Sequence, residues 1–263
     1  PEQRVGADLV ALLVNLATHP RAAEVIVGSG LYPQVVQRVV RTRDALLAKV
    51  IRNISSHTSV VEAMFEVLQE DGQRTGRWMH ELVIMAPSCM EQPDFLVEAL
   101  GTLANMVVPG VPWAELGEAG LVDLLTRLLV PGFSEDDIVL ECVVLAGAMA
   151  SSGESAPYIA ASRLPAVLQE MLVQKSEDQE IVVQLLYALQ CLLLHEEVCG
   201  AVLQDTDLAS CVMRFARGGC PSVLEQAERL LQMAAELDGD AAQDWMEQIK
   251  VFRFEQHNAE WCQ

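Results

Sequence analysis

Positively charged residues are scarce in this chain of 263 residues: 17 Lys and Arg stand against 37 Asp and Glu, and the formal net charge is -20. Non-specific binding to nucleic acid needs an excess of positive charge, so this composition excludes it. An anionic membrane surface would repel the chain for the same reason. A basic protein partner fits the charge, because complementary charge steers association, although an acidic surface also serves solubility alone.

Aromatic residues are also few, at 5% of the chain, whereas 51% of the residues are hydrophobic, chiefly Val, Leu and Ala. This composition indicates many small contacts between helices rather than one core built around large rings. Alternation of β-branched and polar residues is almost absent, and apolar residues recur at spacings of three and four nearly everywhere. The chain is therefore predicted to be all-helical.

The seven cysteines form no Cys-x-x-Cys pair. Several lie in apolar helical runs, where a free thiol behaves as a small hydrophobe, and this fits a reducing compartment. No apolar run approaches the roughly 18 residues that a membrane-spanning helix needs, and no signal peptide is visible. Because the chain begins at Pro1 inside a helical pattern, we interpret it as a fragment of a longer protein.

Motifs for catalysis and nucleotide binding are missing as well: no GxSxG, P-loop or GxGxxG sequence occurs. Cys191 and His195 lie four residues apart and could share a helix face, but a metal site needs further ligands. The acidic run from Glu135 to Asp137 suits the positive N-terminus of a helix. We therefore expect no enzymatic activity, no cofactor and no metal.

What the chain does contain is a recurring asparagine. The stretch "EALGTLANMVVP" places Asn105 beside an apolar helical face, although Asn is a poor helix former whose side chain competes for backbone hydrogen bonds. The segments "ALLVNLATH" and "AKVIRNISSH" place Asn15 and Asn53 in the same way. Alignment of the later helices puts Ala148, Cys191 and Met233 at the equivalent place, which we call the ladder position.

The ladder positions recur in steps of 38, 52, 43, 43 and 42 residues. A period near 42 is typical of armadillo and HEAT solenoids. Gly-Leu or Leu-Pro pairs precede each second helix, and capping patterns open the third, which favours the three-helix armadillo unit. The predicted fold is an all-α, right-handed armadillo superhelix of about five and a half repeats with a C-terminal helical segment.

The predicted boundaries follow from this period. We predict a partial first repeat at 1–18, full repeats at 19–57, 58–108, 109–152, 153–195 and 196–237, and a different segment at 238–263. The 52-residue step contains an insertion from Gln69 to Trp78, which is a candidate contact unless Trp78 helps to build a second helix. Capping boxes are predicted at Ser134 with Asp137, Ser176 with Gln179 and Ser222 with Glu225.

The third helices of an armadillo solenoid line its concave face, so the ladder positions would form a row along a groove. Asn15, Asn53 and Asn105 could each offer a donor and an acceptor to an extended peptide backbone. The alternative is a local cap on a carbonyl at the end of the same helix. We predict a partner-binding groove at these asparagines with Lys49 and Tyr187. Later ladder positions are not Asn, which predicts a drier groove suited to a helix or hydrophobic side chains.

The residue four before the ladder position bears on the partner, because armadillo nuclear-import receptors carry Trp there in a WxxxN pattern. In this chain the six residues are Ala11, Lys49, Gly101, Val144, Tyr187 and Arg229. The absence of Trp argues against recognition of nuclear localisation signals.

Aromatic residues concentrate near the end of the chain, at Trp245, Phe252, Phe254 and Trp261. An exposed cluster would be a partner anchor. The alternative is a cap packed over the final repeat, which solenoids need for solubility. The segment is predicted to do one or the other.

Four blocks in order along the chain, "KVIRNISSH", "EALGTLANMVVPGVPW", "EDDIVLECVVLAGAMA" and "WMEQIKVFRFEQHNAEW", resemble the kinesin-associated protein family, the non-motor subunits of heterotrimeric kinesin-II. The chain would be the C-terminal part of its armadillo domain. The resemblance implies a cytoplasmic, microtubule-associated adaptor that binds the motor-subunit tails and links them to cargo adaptors, including intraflagellar transport particles in the cilium or flagellum. The alternative is an armadillo adaptor of junctional signalling or nuclear transport.

Overall fold

A computed structural model of the chain describes residues 6–68, 77–204 and 206–258. Over these residues the backbone forms seventeen α-helices and two short 3₁₀ turns, and it forms no strand. The prediction of an all-helical chain is confirmed. Its physical basis is the three-and-four spacing of apolar residues, which gives each helix one stripe to bury.

The helices fall into groups of three along the chain. The short first helices are α2 (Pro20–Val27), α5 (Thr58–Val67), α8 (Trp113–Glu118), α11 (Ala156–Ala160) and α14 (Glu196–Leu203). The second helices are α3 (Tyr32–Thr42), α6 (Arg77–Met85), α9 (Leu121–Leu128), α12 (Leu164–Gln174) and α15 (Thr206–Gly218). The third helices are α1 (Ala7–Ala17), α4 (Ala45–Ser55), α7 (Pro93–Ala104), α10 (Asp136–Ala150), α13 (Gln179–Leu192) and α16 (Pro221–Glu236), and α17 (Asp240–His257) ends the series. The 3₁₀ turns are Ala86–Cys89 and Gly153–Ser155.

The third helices form one continuous row, in which each helix packs against the next from α1 to α16. Contacts between first helices join α2 with α5, α8 with α11 and α11 with α14, and contacts between second helices join α3 with α6 and α9 with α12. Helix α17 packs on α14, α15 and α16 together and so closes one end of the stack. This arrangement buries the apolar stripes between layers and leaves one side of the third-helix row open.

Glycine permits the tight connection between first and second helices at two places. Gly30 has φ 71° and Gly120 has φ 95°, a left-handed conformation that costs glycine little and other residues more. Their Gly-Leu sequence therefore marks the start of α3 and of α9.

The predicted capping boxes are wrong at all three places. The Ser134 hydroxyl donates to the Leu128 carbonyl at 2.7 Å, two residues before α10 begins. Helix α13 is capped instead by Asp178, whose carboxylate accepts from the backbone N–H groups of its first turn. Ser222 is already inside α16, which begins with Pro221. At α13 the nearer Asp178 takes the backbone donors that Ser176 was predicted to bind, whereas α10 and α16 begin after Glu135 and Cys220, which make no side-chain cap bond.

The insertion predicted from Gln69 to Trp78 lies mostly outside the described residues, which resume at Arg77. Trp78 belongs to α6 and is buried, so this ring helps to build a second helix. Among the described residues no single helix has the length and apolar character to cross a bilayer; two sharply bent pairs, Asp8–Ala17 with Pro20–Val27 and Asp136–Ala150 with Gly153–Ala160, meet that test jointly.

The first helix of the row leaves an apolar edge open. Leu9, Leu12 and Leu16 of α1 are 52%, 53% and 40% exposed. These residues lie six before, three before and one after the ladder position Asn15. In the other five repeats the residues at these three places are all buried. The edge of α1 is thus built like the core of the other repeats but has no helix of the described chain packed over it.

This internal symmetry allows a matched test of burial. Leu12 and Leu145 occupy the same place in α1 and α10, but Leu145 is fully buried. Replacing Leu145 with alanine should lower the free energy of unfolding by about 2–5 kcal/mol, because a buried cavity is left. The same change at Leu12 should cost less than about 1 kcal/mol. Urea unfolding followed by circular dichroism measures both, and equal losses would contradict the assignment of α1 as an open edge.

Candidate functional site

The ladder asparagines tie neighbouring third helices together. Asn15 is exposed in α1, whereas Asn53 and Asn105 are half-buried. The Asn53 Nδ2 group donates to the Val14 carbonyl oxygen at 3.1 Å, and the Asn105 Nδ2 group donates to Ser55 Oγ at 3.0 Å. In both cases the acceptor lies on the preceding third helix rather than on the same helix. These bonds orient the amides, and each uses one of several hydrogen-bonding positions of the side chain.

Charged residues link three successive third helices beside this ladder. Arg52 on α4 lies with Nη1 3.4 Å from Glu98 Oε2 on α7, and its Nη2 pairs with Glu141 Oε1 on α10. The Lys49 ammonium is 3.5 Å from Glu98 Oε1 and remains about half exposed. Glu98 and Glu141 are only 7% and 8% exposed, so each carboxylate depends on these cations. We call Arg52, Glu98 and Glu141 the arginine strap.

Gly101 makes the strap possible. A Cβ atom at this position would lie 2.5 Å from Arg52 Nε and 2.7 Å from Glu141 Oε2. The guanidinium therefore crosses α7 through the space that any other side chain at Gly101 would fill. This is the position four before Asn105, so the place of the import-receptor Trp is occupied here by an arginine from the neighbouring repeat.

Burial raises the pKa of Glu141 above the ordinary range of a carboxyl group. Arg52 opposes this shift by its charge and its hydrogen bond, whereas the neighbouring Glu98 reinforces it. Arg52 therefore stabilises the charged form of Glu141 against both the burial of the site and the negative charge of Glu98. From α1 to α7 the third-helix face therefore carries polar side chains, and hydrogen bonds and ion pairs fix their orientation.

The second half of the face is apolar. The ladder residues Ala148 and Cys191 are buried, and Met233 is half-buried. Four residues earlier, Val144 is half-buried and Tyr187 is 44% exposed. The Tyr187 ring leans back over α10, because a Cβ at Gly147 would lie 3.3 Å from its Cδ1 atom.

The surroundings of Tyr187 are defined by two further residues of the face. The neighbouring Cys191 thiol is the first cause that raises the pKa of the Tyr187 phenol, together with partial burial. The charge of Arg229 on α16 opposes the rise. Tyr187 therefore has its ring against Gly147 of α10 and the positive charge of Arg229 on its α16 side.

A repeated histidine contact escaped the sequence analysis. His57 Nε2 lies 2.8 Å from the Ala17 carbonyl oxygen, and His195 Nε2 lies 2.6 Å from the Ala150 carbonyl oxygen. Each histidine lies four residues after the ladder position of its own repeat. The carbonyl that it contacts belongs to the residue two after the ladder position of the preceding repeat. His19 occupies the same place after Asn15. The signal is present in the sequence, because His19, His57 and His195 each stand four residues after a ladder position.

The C-terminal aromatic residues divide into buried and exposed members. Trp245 is completely buried and its Nε1–H donates to the Leu203 carbonyl at 3.0 Å. Phe252 is 1% exposed and Phe254 is 66% exposed. Trp261 lies outside the described residues. An anchor made of all four rings is therefore wrong for Trp245 and Phe252, which are core residues of α17, and Phe254 alone presents its ring to solvent among the three described.

Metal chemistry finds no support in the part of the chain that the structure describes. Within it, no group of three or more His, Cys, Asp or Glu residues is arranged to hold an ion. Cys191 is buried and His195 bonds a backbone carbonyl, so this pair is part of the packing between repeats.

Solved structures similar to this chain are armadillo solenoids and engineered proteins. An engineered protein from a structural genomics consortium matches with TM-score 0.77 at 22% identity, over 94% of this chain and 58% of that chain. A designed armadillo repeat protein in complex with the peptide (KR)4 matches with TM-score 0.69 at 17% identity, over 86% and 91%. A second designed armadillo repeat protein matches with TM-score 0.69 at 13% identity, over 88% and 95%. The predicted armadillo solenoid is confirmed.

A family model also matches the sequence. It is described as Kinesin-associated protein (KAP), and the match covers residues 1–263.

Proposed function

Because the chain belongs to the kinesin-associated protein family, as its resemblance predicted, we propose that it is a non-catalytic adaptor of heterotrimeric kinesin-II. In this proposal the third-helix face binds the tails of the two motor subunits and links them to cargo. The protein would act in the cytoplasm on microtubules, and in the cilium or flagellum with intraflagellar transport particles.

The observation that carries the proposal is the continuous third-helix row with its preset polar groups. Asn53 and Asn105 are already oriented by bonds to the preceding helix, so little side-chain freedom is lost when a partner binds. Lys49 and Tyr187 are exposed along the same row. The net charge of -20 favours basic partner segments by electrostatic steering. The proposal keeps the predicted repeat boundaries and the predicted groove at the ladder asparagines, Lys49 and Tyr187.

Calorimetric titration with the paired tail segments of the two kinesin-II motors tests the adaptor function. We expect saturable binding that weakens between low and moderate salt, because exposed charges separated by more than about 10 Å are screened at 0.1 M. Binding that is absent from the folded chain would contradict the proposal for these repeats.

The asparagine ladder has its own test. Replacing Asn15, Asn53 and Asn105 together with alanine should weaken tail binding about tenfold or more, since each lost hydrogen bond is worth about 0.5–1.5 kcal/mol. Asn258 provides the control, because its side chain caps the end of α17 at the Phe254 carbonyl, away from the third-helix row. Because Asn53 and Asn105 also bond the preceding helix, the triple variant should unfold at a lower temperature, so its affinity is measured where circular dichroism shows it folded. Unchanged affinity of the folded variant would remove the ladder from the binding site.

A further inference from the structure

The later half of the third-helix face has a continuous apolar surface. It consists of Leu140 and Val144 on α10 and Val183 and Tyr187 on α13, which we call the apolar stretch. Tyr187 is 44% exposed, and the other three side chains are half-buried with part of their apolar surface open to solvent. Exposed apolar groups that follow one another on adjacent helices indicate a surface for another molecule.

The apolar stretch has two defined ends. On one side the arginine strap crosses α7, and on the other side the exposed Arg229 stands on α16. The apolar stretch therefore covers two third helices, which lie about 8–10 Å apart when packed. Residues i and i+7 of an α-helix lie about 10.5 Å apart. A helix crossing α10 and α13 can thus place one apolar side chain against Val144 and another, two turns later, against Tyr187.

The backbone of the occupant decides between a helix and an extended strand. An extended peptide on the apolar stretch would leave its backbone N–H and C=O groups unpaired, at a cost of about 1–3 kcal/mol for each group that becomes buried. The asparagines that could meet those groups are absent here, since the ladder residues are Ala148 and Cys191, both buried. An α-helix satisfies its own backbone internally and needs no such partner.

Charge defines one flank of the occupant. Asp137 and Glu180 are exposed in the first turns of α10 and α13, seven residues before Val144 and Tyr187 respectively. Seven helical residues span about 10.5 Å, close to the diameter of an α-helix. A helix on the apolar stretch would therefore have one side next to these two carboxylates.

We propose that the apolar stretch binds an amphipathic α-helix of a partner protein, with Lys or Arg residues along the side that faces Asp137 and Glu180. The occupant has apolar residues at i, i+3 or i+4, and i+7. This inference rests on the proposed adaptor function and specifies the segment that this half of the groove receives, whereas the asparagine half receives an extended segment.

The binding experiment uses the full chain and a labelled 18-residue model helix with leucines at that spacing and lysines on one flank. Fluorescence anisotropy should show that Val144→Ser or Tyr187→Ser weakens binding tenfold or more. Val173→Ser is the matched control, because this apolar side chain is 58% exposed but lies on the second helix α12, outside the third-helix row. A peptide with a central proline, which breaks the helix, should lose binding to the same extent.

The charged flank is tested in the same assay. Asp137→Asn with Glu180→Gln should weaken binding severalfold and reduce its salt dependence. Asp244→Asn with Glu247→Gln, two exposed acids of α17, is the control pair and should change neither. Hydrogen exchange supplies a readout that needs no variant: the bound peptide should protect α10 and α13 and leave α1 and α4 unchanged.

The outcomes separate this inference from the function on which it rests. Motor tails that bind the wild-type chain but ignore Val144→Ser and Tyr187→Ser would overturn the helix site and leave the adaptor function standing. A model helix that binds through the apolar stretch while the tails fail to bind would support the site and overturn the tail assignment. Equal weakening by Val173→Ser, or tight binding of the proline peptide, would overturn the inference.

Discussion

Replacing Trp245 with alanine is expected to lower the free energy of unfolding by about 3–5 kcal/mol, among the largest effects of any single substitution in this chain. The indole is fully buried where α17 packs on α14, α15 and α16. Its Nε1–H donates to the carbonyl of Leu203, the last residue of α14, at 3.0 Å. Carbonyls at a helix end have no partner within their own helix, so this bond satisfies a group that burial would otherwise leave unpaired.

Two comparisons separate packing from hydrogen bonding at Trp245. Trp245→Phe keeps most of the apolar surface but leaves the Leu203 carbonyl without its donor, which should cost about 1–3 kcal/mol. Phe254→Ala removes an aromatic ring of the same helix that is 66% exposed, and it should cost less than about 1 kcal/mol.

Urea unfolding monitored by circular dichroism gives these values, and hydrogen exchange shows where the structure opens. In Trp245→Ala we expect faster exchange first in α17 and α14, because the end of a repeat array loses its cap before its centre opens. A loss below about 1 kcal/mol would mean that α17 is not a structural cap.

Replacing Arg52 with alanine is expected to cost about 2–4 kcal/mol at neutral pH. The change leaves Glu98 and Glu141, both less than a tenth exposed, without the guanidinium that pairs with them. Glu98 keeps the Lys49 ammonium at 3.5 Å, so the nearly buried charge left without a cation is that of Glu141. The expected loss of stability is smaller than for a fully buried ion pair, because the Arg52 side chain is 31% exposed and water partly screens its charge.

The cost of Arg52→Ala should depend on pH in a defined direction. Burial raises the pKa of Glu141, and Arg52 is the main group that opposes this rise. Without Arg52 the folded chain holds a proton on Glu141 at a pH where the unfolded chain has released it. Stability therefore falls as pH rises from the ordinary carboxyl pKa to the raised folded value, and is constant above it. The variant should lose more stability at pH 8 than at pH 5.

A charge-neutral variant provides the control for Arg52. Arg52→Ala combined with Glu98→Gln and Glu141→Gln leaves no buried charge, so part of the lost stability should return and the pH dependence should disappear. Arg52→Lys should recover only part, because one ammonium group cannot bridge two carboxylates as the planar guanidinium does. Equal losses at pH 5 and pH 8 would show that Glu141 is not the group left uncompensated.

The strap also sets a division within the third-helix face. Upstream of α10, asparagines and paired charges present oriented polar groups; from α10 onward, Val144 and Tyr187 present apolar surface. The same row of helices therefore has two chemically different surfaces, as the proposed binding of an extended segment beside a helical segment requires.

The helices, the repeat period and the ladder were available from the sequence because they rest on local spacing. Apolar residues three and four apart specify a helix and its buried stripe, and a recurrence near 42 residues places the same stripe in the same layer of each unit. Asn53 and Asn105 could be aligned in this way without knowing what they touch. His57 and His195 could have been aligned too, since they share one place in the repeat.

Only the tertiary structure decided which side chains meet. Arg52 reaches Glu98 and Glu141, which follow it by 46 and 89 residues, because third helices of three repeats lie side by side and Gly101 leaves space between them. Likewise Trp245 and Phe252 are buried while Phe254 is exposed, since α17 can turn only one face to the stack. Local spacing assigns a residue to a face, but the contacts across that face depend on the stacking of the whole solenoid.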